Sequence, residues 1–147
     1  MSSASAATGK RYPVDTYAVG REKIREYAAA VGETLAVYFD VEAARAAGHA
    51  DLVAPPMFAA VYAGRALAPC LFDPELAIDF AMLVHGYQDF RWGPLVVAGD
   101  EITTQVRVDD ISERVGLTFY VFETTSLNQR SETVCTGRWT NIVRDAT

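Results

Sequence analysis

The apolar positions of this chain change period once, near residue 76. Before it they follow a helical repeat. Ile24, Tyr27, Ala28 and Val31 recur at i, i+3, i+4 and i+7, while Arg21, Glu22, Arg25 and Glu26 lie mostly off that face, which predicts an amphipathic helix over Gly20 to Val31. Gly32 suits the position just past its end. Asp40 can cap a short helix from Val41 to Ala47 that Gly48 closes. Pro56 suits the first turn of a further helix, Met57 to Ala68. Alanine-rich and apolar on most faces, this segment reads as a central buried helix wrapped by a sheet, in which Arg65 must snorkel or pair.

From residue 76 onward the period is 2. It predicts strands at Ala77 to Phe80, Leu83 to Trp92, Glu101 to Ile111, Gly116 to Ser126 and Thr133 to Val143. Ile102, Thr104, Val106 and Val108 share one strand face, with Thr103, Gln105 and Arg107 on the other. Asn128-Gln129 marks a hairpin tip, and Val97 to Asp100 a turn at the head of a strand. Asp89 and Arg91 share a face with Tyr87, a pattern open to an intersubunit pair or to a solvated edge. Arg107 with Asp109 and Asp110 reads as a solvated strand end, and Trp92 and Trp139 as sheet or interface aromatics. Helices followed by antiparallel strands, without βαβ alternation, predict an α+β domain.

Composition narrows the class. A chain of 147 residues, 50% apolar and 22% charged, forms one domain with a real core, here residues 11–147 behind a flexible tail of residues 1–10. A net charge of -6 argues against nucleic acid or an anionic membrane as partner. Cys70 and Cys135 lack metal-ligand spacing and read as buried free thiols. Without a long apolar stretch or an apolar core near the N-terminus, a cytoplasmic protein is expected.

Three segments in order carry a resemblance: Gly20 to Ala28, Asp51 to Phe58 and Pro94 to Asp100. Together with the helix-then-sheet layout they resemble the MaoC-like dehydratase N-terminal family, over roughly residues 11 to 144. That family has a single hot-dog fold and includes small actinobacterial proteins and non-catalytic subunits of (3R)-hydroxyacyl-carrier-protein dehydratases. The resemblance implies an acyl-CoA or acyl-carrier-protein thioester as ligand, a dimer, and no cofactor or metal. Catalytic members of the wider group carry a loop Gly-Asp-x-Asn-Pro-x-His-x-Asp. Gly32 and Asp40 match its ends, but Glu33 stands at the catalytic aspartate, Leu35 at the asparagine, Ala36 at the proline and Tyr38 at the catalytic histidine.

Dehydrating a 3-hydroxyacyl thioester needs a base for the C2 proton, an acid for the departing hydroxyl, and donors for the thioester oxygen. Imidazole suits the base because it titrates near neutrality, whereas an ordinary tyrosine stays protonated there. Backbone amides near Pro56 to Phe58 can serve the oxygen whatever the side chains. Three routes around the missing histidine are open. Glu33 can act alone, since burial beside an acyl chain favours a protonated carboxylate. His85 can supply the base, although a structural or tunnel-wall role explains it better; His49 reads as a surface or capping residue. Third, a partner chain can bring both catalytic groups, as the resemblance implies.

Pro56, Met57, Phe58 and Tyr62 are the candidate substrate-binding residues, with Tyr38, Phe39 and Phe72 as further possible lining; core packing explains each equally well. Arg21, Lys23, Arg25 and Arg45 offer a basic patch for a carrier protein or coenzyme A, or simply solvate their helices. The resulting expectation is a (3R)-hydroxyacyl-thioester dehydratase or enoyl hydratase-like protein, accessory or weakly active, in a heterodimer with a catalytic hot-dog subunit. The alternative is a homodimer that binds acyl-CoA or acyl-carrier protein without chemistry. A thioesterase is disfavoured, because Met57 to Ala68 contains no acidic residue.

Overall fold

The computed structural model describes residues 3–144; Met1 and Ser2 of the expected tail, and the last three residues, lie outside them. Five antiparallel strands form one sheet in the order β1-β3-β4-β5-β2: β1 (Asp15–Ala18), β2 (Leu83–Trp92), β3 (Glu101–Arg114), β4 (Leu117–Leu127) and β5 (Thr133–Arg144). Alternation along β3 buries Ile102, Thr104, Val106 and Val108 on the face that meets the helices. Against that face pack α1 (Arg21–Ala30) and α3 (Ala59–Ala66), with α2 (Val41–Ala46) and α4 (Ala68–Leu71) flanking them. Phe58, Phe122, Ile24 and Leu52 are completely buried in the single core. This is the expected hot-dog arrangement, an antiparallel sheet around central helices.

Both glycine stops follow one rule. Gly32 at φ +77° lets its amide reach Ala29 O (3.2 Å) while the Glu33 amide reaches Ala28 O (2.9 Å). Gly48 at φ +93° repeats the pattern, with His49 N–H bonded to Ala44 O at 3.0 Å. These paired bonds satisfy carbonyls that a helix end leaves open. Asp40 caps α2 as expected, accepting from the Glu42 and Ala43 amides.

Elsewhere the chain departs from its local pattern. The expected strand Ala77 to Phe80 is absent. Ala77 takes φ +51°, and Asp79 caps a 3-10 turn at Phe80–Met82 by accepting from the Ala81 amide. The expected helix Met57 to Ala68 is divided into a 3-10 turn (Pro56–Phe58), α3 and α4. Pro69, which lacks an N–H and crowds the preceding turn, stands in the first turn of α4 and accounts for that second break. Strand β1 carries too few residues to stand out by alternation, and its pairing with β3 defines it. Within the stretch expected to fray, Ser3–Ala7 form a 3-10 turn, Ala7 is buried, and Gly9 N–H bonds Val108 O at 2.8 Å. Arg65 pairs with Asp15 at 3.3 Å and lies over the Tyr17 ring.

Candidate functional site

The loop from Gly32 to Asp40 is fastened at both ends and in the middle. Its start is the α1 cap and its end the α2 cap. Between them Arg25 Nε donates to Phe39 O (2.9 Å), and Val53 N–H donates to Val37 O (3.0 Å). A two-pronged Arg21–Asp51 contact (2.9 and 2.7 Å) ties α1 to the segment leading into the central helix. It holds the Asp51 carboxyl down at about 2, chiefly through the Arg21 hydrogen bond. Arg21, read as part of a basic patch, is therefore partly neutralised by Asp51.

This fastening brings Glu33 to the rim of an open recess of about 470 Å³, lined also by Tyr27, Val31, Pro55, Pro56 and Met57. Tyr38 stands at the end of the 3-10 turn Ala36–Tyr38, half-buried. Burial, and after it the negative charge of Glu33, push its hydroxyl above the ordinary phenol value; the same two causes act on Tyr27. Glu33 is thus within electrostatic reach of both rings. At neutral pH Tyr38 holds its proton more firmly than free tyrosine, which suits a hydrogen-bond donor and works against a base.

On the other side of the Pro55-Pro56 ridge is a narrow apolar cleft of about 40 Å³, walled by Ala54, Phe58, Tyr62, Trp92, Leu95 and Val134 among others. Trp92 closes it by donating its indole N–H to Pro56 O at 2.8 Å. Small-molecule sites run to about 300–1,000 Å³. The recess meets that size and the cleft does not, so entry of an acyl chain beyond the ridge requires Trp92 or Leu95 to move. Gly93 forms the tight wall, where an added Cβ would lie 2.1 Å from Thr133 O. In the 3-10 turn, Pro55 and Pro56 have no N–H and the Phe58 amide is committed to Pro55 O (2.8 Å). Met57 N–H is left as its available donor.

The candidate residues are only partly brought together. Glu33, Pro56 and Met57 share the recess, while Pro56, Phe58 and Tyr62 share the cleft. Phe58 and Tyr62 are also core residues, with ring centroids 6.2 Å apart and a Tyr27 ring 5.5 Å from Phe58. His85 lines neither cavity; it is exposed on β2, its ring edge-on to Trp139 at 6.1 Å. His49 contributes its amide to the α2 cap. Sequence reasoning missed Trp92 as a cleft wall; an aromatic residue directly before Gly93-Pro94 at a strand end was the available signal.

The model of the FAS1-like dehydratase domain region matches residues 6–137. The chain belongs to that family. It is 44% identical over 140 residues to a UPF0336 protein of Leifsonia xyli, covering 95% of this chain and 94% of the other. In three dimensions it resembles a chain of the C-terminally truncated HadBC (3R-hydroxyacyl-ACP dehydratase) complex of Mycobacterium tuberculosis, with TM-score 0.79 and 30% identity, covering 92% of this chain and 96% of that one. A MaoC-like dehydratase matches with TM-score 0.86 and 28% identity over 97% of this chain, but over only 44% of its own length. The family is thus that of hot-dog, MaoC-like dehydratases of acyl-thioester metabolism. No helix among the described residues is long and apolar enough to cross a membrane.

Proposed function

We propose that this chain binds an acyl thioester as an accessory subunit of a (3R)-hydroxyacyl-thioester dehydratase or enoyl hydratase. It shapes the acyl channel and takes the catalytic base from a histidine-bearing hot-dog partner. The observation that carries this reading is Glu33 on the rim of an apolar recess that Tyr38, at the expected base position, does not itself line, although it holds its proton within reach of the Glu33 charge. In this assignment the thioester oxygen meets the Met57 amide, the acyl chain runs over Met57 and the Pro55-Pro56 ridge toward Phe58 and Tyr62, and Tyr38 donates a hydrogen bond. Glu33 is the one carboxylate among the recess-lining residues and the group placed there for proton transfer. The likeness to a chain of the HadBC complex supports a two-subunit enzyme.

The test is hydration of crotonyl- and longer enoyl-thioesters by the chain alone and with a histidine-bearing hot-dog partner from the same genome. Activity is expected only in the mixture. Full activity of the chain alone, abolished in Glu33→Gln, refutes the accessory role. Acyl-CoA binding without activity in either arm refutes it in favour of a pure binding protein. In the chain alone, Tyr38→His should raise a basal hydration rate by on the order of 10²-fold or more, the usual contribution of a positioned proton-transfer group.

A further inference from the structure

The Trp92 indole N–H donates to Pro56 O at 2.8 Å, beside the bond that this carbonyl accepts from the Ala59 amide within its own turn. The same peptide plane carries the Met57 N–H. In a trans peptide the C=O and N–H point in opposite directions, and the described residues contain no cis bond. With Pro56 O turned to Trp92 across the cleft, Met57 N–H is turned away from it. Met57 accordingly lines the recess and not the cleft. A donor on the carbonyl fixes this plane and, by polarising the amide, strengthens the N–H at its other end.

Trp92 is also the wall of the cleft best placed to move. The inner walls, Phe58 and Tyr62, are core residues, and Gly93 lies directly against Thr133 O. Trp92 is half exposed, and the Pro56 bond holds it inward beside the Phe90 ring, with 5.9 Å between centroids. Leu95 is half exposed too, but has no polar group to fasten it. The cleft behind them, at about 40 Å³, is far below the size of a ligand site. An acyl chain longer than the recess accommodates therefore stays in solvent or displaces the indole.

We propose that Trp92 is a positioning residue that selects short acyl thioesters: it bars the cleft and, through the Pro56–Met57 peptide, aims the amide that meets the thioester oxygen. A short acyl group ends in the recess and leaves the indole bond intact. A longer one reaches the cleft only by lifting the indole, and the peptide then loses the donor that held it. Chain length and thioester polarisation are thus decided by one side chain. The inference rests on the acyl-thioester site of the proposed function, and adds the length class and the residue that enforces it.

Calorimetric binding of butyryl- and octanoyl-CoA to the purified full chain tests it, with circular dichroism melts as a folding check. Wild type should bind the two with similar affinity. Trp92→Ala should bind octanoyl-CoA on the order of tenfold more tightly than butyryl-CoA, at about fourfold for each methylene taken into the opened cleft. Trp92→Phe keeps a ring and removes the N–H. The infrared band of the thioester carbonyl of bound butyryl-CoA should lie below its free value in wild type and move back toward it in Trp92→Phe, a shift that lost packing alone does not produce. A wild type that already favours octanoyl-CoA tenfold, a Trp92→Ala with wild-type selectivity, or a carbonyl band unmoved in Trp92→Phe would each overturn the inference while leaving acyl-thioester binding intact. Binding of neither ligand would remove the proposed function itself, and the inference with it.

Discussion

Asp73 anchors the N-terminal segment to the loop after α4. It accepts from the Tyr12 hydroxyl (2.6 Å) and pairs with Lys10 (2.6 Å), and these contacts hold its carboxyl at about 2 against an ordinary 3.8. The Lys10 hydrogen bond is the largest cause and the Tyr12 hydrogen bond the next. At about 1.4 kcal/mol for each pH unit, that depression is worth about 2 kcal/mol of folding stability. This is a ceiling, because Lys10 is a third exposed and water screens part of the attraction. A depressed folded-state value stabilises above the unfolded value and is lost as pH falls through the folded one, here between about 4 and 2. Asp73→Asn keeps an acceptor for Tyr12 but loses the charge. Urea unfolding should therefore show it less stable than wild type by up to about 2 kcal/mol at neutral pH, with the deficit falling to roughly a third at pH 2.5 and vanishing only below about pH 2. An equal deficit at both pH values would show that packing, not the Asp73 charge, carries the effect.

Phe58→Ala, at a site with no exposed surface, should cost about 3–5 kcal/mol in urea unfolding. It should also enlarge the cleft enough to be seen as altered acyl-CoA affinity. Gly93→Ala puts a Cβ against Thr133 O, and should lower the melting temperature and change Trp92 fluorescence as the cleft wall shifts; an unchanged spectrum would sink that reading.

The fold was legible wherever a local rule decides the outcome. Gly32 and Gly48 end helices because their positive φ disfavours other residues, and Ile102 to Val108 alternate because one face is buried. The failures lie where tertiary contacts outrank local pattern. Ala77 to Phe80 alternates like a strand, yet the Asp79 cap and the positive φ of Ala77 turn the chain. β1 exists through its partner β3. In the site, Glu33 and Tyr38 were legible as loop positions. Their electrostatic proximity, and the bond from Trp92 to Pro56, join segments far apart in sequence and follow from no spacing.

Trp92 belongs to two places at once: the end of the open strand and the lid of the cleft, bonded to the proline on the recess rim. Rim and edge therefore share one side chain, and thermodynamic linkage follows from that sharing. Whatever factor the occupation of one adds to the affinity of the other is returned in full in the opposite direction. An acyl ligand that displaces the Trp92 indole from Pro56 should accordingly also change how the end of β2 is presented.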